Sequence, residues 1–165
     1  MPTIDERERV VRRCVRLIRG ARILGVPILW TEQYRKGLGP TVPEIVEAIG
    51  DAAAPMEKMH FGCLDDEAVR GRVEATRRRT LALCGIEAHV CIMNTALRAL
   101  EDGMRVAVAE DAVGSRRASD RETALRRMTQ AGVIPATVEM LLMEWMRESG
   151  TPRFKKVLPL LKDVS

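Results

Sequence analysis

Apolar positions follow two periodicities along this chain, and the two alternate. From Asp5 to Leu24, Val10, Val11, Cys14, Val15, Leu17, Ile18, Ala21 and Leu24 recur at steps of three and four, with arginines between them. That spacing lays one apolar stripe along an α-helix. Gly25 is its stop signal, because glycine takes the left-handed conformation that closes a helix at no steric cost. Asp5 stands just ahead of the run with Glu6 and Glu8 in the first turn, which assigns it to capping the helix and complementing its dipole. Val26 to Thr31 is a continuous apolar run between Gly25 and the polar segment EQYRKGLGP, and reads as a short buried strand followed by a loop.

The same alternation carries on. Pro43 opens a short helix within TVPEIVEAIG, PMEKMHFGC is an irregular or short-strand connection, and Asp65 to Thr76 form a polar helix. Thr80 to Ile86 is a second continuous apolar run; EAHVC then turns tightly into IMNTALRALEDG, a helix stopped by Gly103. Arg105 to Val113 supply another strand, and Ser119 with Glu122 has capping-box spacing ahead of DRETALRRMTQAG. VIPATVEM reads as a last strand leading into a helix through Glu148, and RFKKVLPLLKD as a short terminal helix broken near Pro159. Strands alternating with helices of this kind require right-handed crossovers and a parallel sheet covered on both faces. The expected fold is one α/β domain over residues 1–165, a three-layer αβα arrangement with a mostly parallel sheet.

Composition narrows the function classes. At 165 residues the chain suits one domain with a real core, and 46% hydrophobic with 30% charged residues is globular usage. The net charge of +4 is the balance of 27 basic and 23 acidic residues, interleaved along helices, which reads as a solvated face. With 3% aromatic residues there is little to stack on bases, so no nucleic-acid partner is expected. No run is long enough to span a bilayer, and MPTIDERERVVRR is charged where a signal peptide needs an apolar core, so a cytoplasmic protein is expected. The four cysteines form no CxxC pair, and Cys14 and Cys84 lie in apolar runs, which predicts reduced thiols and no disulfides. His60 and Cys63 have H-x-x-C spacing, but with two histidines in the chain and no second ligand pair, neither a metal nor another cofactor is expected.

In an open parallel sheet, ligands bind beyond the carboxyl ends of the strands. Glu32, Gln33, His89 and Cys91 fall there. Cys91 opens the helix after the TLALCGI strand, where free backbone N–H groups and the helix dipole favour a thiolate. A nucleophilic cysteine further needs a cationic neighbour or a base, and donors aimed at the oxyanion it creates. The bland alternative is a small residue packed under a helix.

GIEAHVCIMNTALRALEDGMRVAVAEDAVGSR, taken with TEQYRKGLGPTVPE, EKMHFGC, DRETALRRMTQAG and PRFKKVLPLLK, resembles the isochorismatase-like cysteine hydrolases, in the branch with TEQY, GLGPT and GIEAHVC motifs. The match runs in order from about Val10 to Lys162. The resemblance implies a three-layer α/β fold and a Cys, Lys and Asp triad that attacks amides and related carbonyl or imine carbons. By motif its cysteine is Cys91 and its lysine Lys58. It also implies a cis peptide at Ile86–Glu87, with the amides of Glu87 and Cys91 as an oxyanion hole, and Gln33, Tyr34, Phe61 and His89 around a small-molecule substrate.

The resemblance breaks at one place. The family's Asp ends a first, central strand upstream of the first long helix, and nothing in this chain corresponds to that strand. Asp5 abuts the helix directly and is not expected to take its place. Loss of the strand would leave two neighbours with unpaired edges and a slot in the core. That suggests a start placed too far downstream, or a shortened form that pairs with another copy. Two functions follow: a hydrolase weakened by the missing Asp, or an inactive oligomeric scaffold. Relatives that are nicotinamidases carry Asp and His metal ligands where this chain has Glu32, Gln33 and Tyr34, which argues against that activity. A homo-oligomer and a small-molecule substrate are the expected partners, and the substrate's identity is not legible.

Overall fold

The computed structural model describes residues 4–162. The first apolar stripe forms helix α1 (Arg7–Leu24), which buries Val10, Cys14, Leu17, Ile18 and Leu24, and Gly25 closes it at φ 70°. Its N-terminus departs from expectation. Glu6, not Asp5, is the boundary residue, in the left-handed region at φ 47°, and no side chain caps the helix. Asp5 instead donates its backbone N–H to the Ser115 carbonyl at 3.0 Å, a tertiary contact that replaces the cap.

Strand β1 covers Trp30–Gln33 rather than Val26 to Thr31, and pairs in parallel with β2 (Pro55–Lys58). The ladder can be only as long as its shorter partner, and the four residues of β2 meet Trp30 to Gln33. Between these strands lie α2 (Arg35–Leu38) and α3 (Pro43–Ile49). Helix α4 (Glu67–Ala75) follows, with the Asp66 carboxylate accepting from the amides of Ala68 and Val69 at 3.1 and 3.2 Å. Replacing Asp66 by alanine should cost about 1 kcal/mol. A thermal melt of Asp66→Ala indistinguishable from that of the native chain would show the cap to be idle.

Strand β3 (Thr80–Ile86) pairs in parallel with β4 (Arg105–Gly114), and β4 with β5 (Ile134–Ala136). Helix α5 (Met93–Glu101) connects the first pair and α6 (Ala118–Gln130) the second. Thr137 then caps α7 (Val138–Met146), its hydroxyl accepting from the Met140 amide at 3.2 Å. The capping box expected at Ser119 and Glu122 does not form, because α6 already begins at Ala118. Arg121 fixes where that helix starts: its guanidinium donates to the carbonyls of Val113 and Glu110 on β4. Helix α8 (Pro152–Lys162) runs through Pro159 instead of breaking there. Pro159 and Lys155 are both exposed, so water can satisfy the carbonyl that proline leaves without its donor.

Two apolar clusters define the layers. One joins Ile28 and Trp30, Cys84 and Ile86, and Ala107, Ala109 and Ala112 to residues of α1, α3, α7 and α8. The other joins Leu29, Leu81 and Leu83, and Val106, Val108 and Val113 to residues of α4, α5 and α6. Every strand segment that contributes to both clusters has helices on each face, which is the three-layer α/β arrangement with parallel strands. Within the described residues that middle layer is in two pieces, β1–β2 and β3–β4–β5, and β1 and β3 each have a single paired edge.

Candidate active site

Three strand ends meet at the site. Gln33 closes β1, Lys58 closes β2 as its register partner, and β3 runs out at Ile86 into a π-helical turn, Ala88–Ile92, that carries Cys91 into α5. Because side chains alternate across a strand, Thr31 and Gln33 reach one way. Glu32 reaches the other, where its buried carboxylate accepts from the Thr41 amide at 2.8 Å and lies 3.6 Å from Arg35. Glu32 thus pins the loop after β1 and takes no part in the site.

Lys58 is the centre of the arrangement. Its side chain is 3% exposed, and its ammonium donates to Gln33 Oε1, to the His60 carbonyl at 2.8 Å and to the Phe61 carbonyl at 3.1 Å. An ammonium has three hydrogens, and these three oxygens occupy them. Cys91 Sγ, 3.7 Å from Nζ, therefore meets Lys58 mainly through its charge. Gln33 is fixed in turn by donating from Nε2 to the Met59 carbonyl at 2.7 Å, and its Oε1 lies 4.0 Å from Cys91 Sγ.

The Ile86–Glu87 peptide is cis. The Glu87 amide lies beside Cys91, where it lowers the thiol's pKa, and the Glu87 carboxylate accepts from Arg116, from the backbone N–H at 3.0 Å and from Nε at 3.1 Å. His89 Nδ1 lies 3.0 Å from the hydroxyl of buried Ser115. Tyr34 is 43% exposed, with its ring against Gly37. Phe61 is 62% exposed; its carbonyl, not its ring, is what reaches Lys58. Gln33, Lys58 and Cys91 are thus brought together, with Glu87 beside Cys91, while the side chains of Tyr34, Phe61 and His89 make no hydrogen bond to them among the described residues.

The isochorismatase domain family matches residues 2–140. The chain is 39% identical over 164 residues to isochorismatase domain-containing protein 2A of Mus musculus, covering 98% of this chain and 77% of that protein. The chain belongs to the isochorismatase domain family. Among solved structures it superposes on the MAR1 ribonuclease of Caenorhabditis elegans with a TM-score of 0.91 and 36% identity, covering 97% of this chain and 82% of that one. It superposes on the YcaC gene product of Escherichia coli, described as an octameric hydrolase of unknown specificity, with a TM-score of 0.85 and 26% identity, over 97% of this chain and 78% of that one.

In this isochorismatase family member the resting state of Cys91 differs from the sequence expectation. Burial raises the thiol's pKa above that of an ordinary cysteine. The Lys58 charge lowers it, the neighbouring Cys63 thiol raises it again, and the Glu87 amide lowers it, with burial the largest effect. The free site therefore rests as a thiol beside an ammonium rather than as a thiolate. Alkylation of Cys91 by iodoacetamide should keep accelerating with pH beyond the point where an exposed cysteine levels off. A plateau reached at lower pH than that of a denatured control would contradict this.

Sequence reading missed Thr95, Arg116 and Ser115. Thr95, buried at 4% exposure, accepts from the Cys63 amide at 2.8 Å and donates to the Cys91 carbonyl at 2.7 Å. Its position four residues after Cys91, one helical turn on, was an available signal. Ser115 and Arg116 carried none, because they reach the site only through the pairing of β3 with β4. Among the described residues no group of three His, Cys, Asp or Glu side chains clusters to hold a metal ion, and His60 contributes its carbonyl to Lys58. A shallow cavity bordered by Arg70, Arg78 and Arg79 lies at the opposite, amino-terminal end of β3 and β4, away from Cys91.

Proposed function

We propose that this chain is a hydrolase that uses Cys91 to attack the carbonyl carbon of a small amide or a related substrate. The observation that carries the reading is the buried Lys58 ammonium, 3.7 Å from Cys91 Sγ at the carboxyl ends of parallel strands. Attack forms a C–S bond and places negative charge on the substrate oxygen, which the amides of Glu87 and Cys91 stabilise. The Cys91 proton leaves to solvent as the sulfur attacks. Lys58 stabilises the thiolate by its charge, gives a proton to the leaving amine, and is reprotonated from solvent. Water then cleaves the thioester and frees Cys91. Gln33 holds the ammonium in place, while Tyr34, Phe61 and His89 shape the mouth of the site.

The inactive, oligomeric scaffold has its own supporting observation. Among the described residues no carboxylate lies within ion-pair distance of Lys58, whose ammonium is surrounded by uncharged oxygens and one thiol. A family triad without its acid activates the thiol weakly. Assembly with further copies is supported by the octameric YcaC structure and by exposed Tyr34, Leu38, Met59 and Phe61 near the mouth. Four free thiols suit a cytoplasmic location. The relative called a ribonuclease makes RNA a necessary arm of any substrate test.

The test is a panel of small amides, with amine release as readout, alongside single-stranded RNA with cleavage as readout, for the native chain and Cys91→Ser. The hydrolase reading expects release from at least one amide, abolished in Cys91→Ser, and intact RNA. Turnover that survives Cys91→Ser, or release from no amide in the panel, would overturn it. RNA cleavage lost in Cys91→Ser would replace the amide by a nucleic-acid substrate.

A further inference from the structure

Cys63 is a second thiol in the same site, and the hydrolase chemistry leaves it without a task. It lies in the turn Cys63–Asp65, directly after the loop whose carbonyls hold Lys58. Its sulfur is 3.5 Å from Thr31 Oγ1, and Thr31 lies two residues before Gln33 on β1. Its backbone is tied to that of Cys91 by a single buried hydroxyl: Thr95 Oγ1 accepts from Cys63 N at 2.8 Å and donates to Cys91 O at 2.7 Å. Gly62, the residue before Cys63, lies beside the first turn of α5, where a Cβ would be in ordinary contact with the Asn94 backbone at 3.6 Å. Both thiols are free and half-buried, and the Cys63 thiol is close enough to raise the pKa of Cys91. Cys14, by contrast, is buried and donates to the Ala112 carbonyl at 3.2 Å.

We infer that Cys63 is a resolving thiol for Cys91, and that a hydroperoxide converts the pair to a disulfide that blocks the nucleophile reversibly. In the first step the Cys91 thiolate attacks the terminal peroxide oxygen. An S–O bond forms, the O–O bond breaks, and the departing oxygen takes up a proton to leave as an alcohol or water. Sulfur is oxidised by two electrons to a sulfenic acid and the peroxide is reduced by two. In the second step the Cys63 sulfur attacks the Cys91 sulfur. The S–S bond forms, the S–O bond breaks, and hydroxide leaves with the Cys63 proton as water. A small dithiol reductant reverses the result by thiol–disulfide exchange. Without Cys63 nearby, the sulfenic acid would stay open to a second peroxide and to the sulfinic acid, which a dithiol does not reduce.

This assigns a regulation to the site proposed above, but its readout is a covalent bond and not turnover. Failure of either idea is thus visible without the other. The folded native chain and Cys63→Ser are treated with hydrogen peroxide, free thiols are blocked with N-ethylmaleimide, and each is digested with trypsin and a glutamyl endopeptidase. Cleavage after Glu87 separates the Cys84 peptide from the Cys91 peptide. The expected result is a linked pair joining the Cys63 and Cys91 peptides in the native chain. Dithiothreitol should abolish it and restore iodoacetamide labelling of Cys91, while Cys63→Ser should accumulate Cys91 sulfinic acid instead. Any of three results would overturn the inference: both thiols still free after peroxide, Cys91 over-oxidised equally in both proteins, or Cys63 linked to Cys14 or Cys84.

Discussion

Lys58→Met should slow every reaction of Cys91. Methionine has nearly the length of lysine and fits an apolar surround, so the change removes the charge while keeping most of the volume. Burial, which already raises the thiol's pKa, would then act without its main opponent, the ammonium at 3.7 Å. Below the thiol's pKa, each unit of further rise costs a factor of ten in thiolate. Alkylation at pH 8 should therefore fall on the order of tenfold or more. In the proposed amide hydrolysis, turnover should fall roughly 100-fold or more, because the group assigned to protonate the leaving amine would be lost as well. Stability is set by two opposing effects. Gln33 Oε1 and the carbonyls of His60 and Phe61 lose their donor, at about 1–3 kcal/mol for each oxygen that water cannot reach. Removing a buried cation relieves a desolvation cost of several kcal/mol. A modest change in melting temperature with a large loss of thiol reactivity is the expected combination. Alkylation rates at matched pH measure it, and an unchanged rate in Lys58→Met would remove Lys58 from the mechanism.

Leu142→Ala should lower stability by about 2–5 kcal/mol, or roughly 5–15 °C in Tm. Leu142 on α7 is fully buried, and it fills the space left by Gly20 on α1. A Cβ on Gly20 would come within 2.3 Å of Leu142 Cδ2 and 3.1 Å of Cδ1. In the native background, Gly20→Ala sets a gain of about 1 kcal/mol in helix propensity against an overpacking cost of about 1–3 kcal/mol, so it should destabilise or at best break even. In the Leu142→Ala background the clash is gone, the new methyl enters the cavity, and the same substitution should stabilise by about 1 kcal/mol or more. The measurement is a double-mutant cycle by chemical denaturation. Additive effects of the two substitutions would show that α1 and α7 are not packed through this pair.

Part of this molecule is legible in its sequence because the signal is local. The stripe from Val10 to Leu24 sets a helix by its three- and four-residue spacing, and the short continuous runs at Thr80 to Ile86 and Arg105 to Val113 set strands by their length and flanking polar residues. Alternation of those types implies parallel strands between helical layers. Cys91 is legible for the same reason, since the turn from strand to helix that carries it is contiguous. Resemblance to the isochorismatase-like hydrolases pointed to Lys58, whose local surroundings say nothing of burial or charge.

Tertiary structure decided the rest, wherever distant segments compete with local preference. Capping at Asp5 and Ser119 is worth about 1 kcal/mol each, and a backbone bond to Ser115 and the Arg121 anchor on β4 displace it. The length of β1 is set by β2, more than twenty residues away in the chain. Gln33 and Lys58 become partners only through that same register. Whether Cys91 rests as thiol or thiolate depends on how much protein surrounds it, a property of the packed core that no stretch of sequence contains.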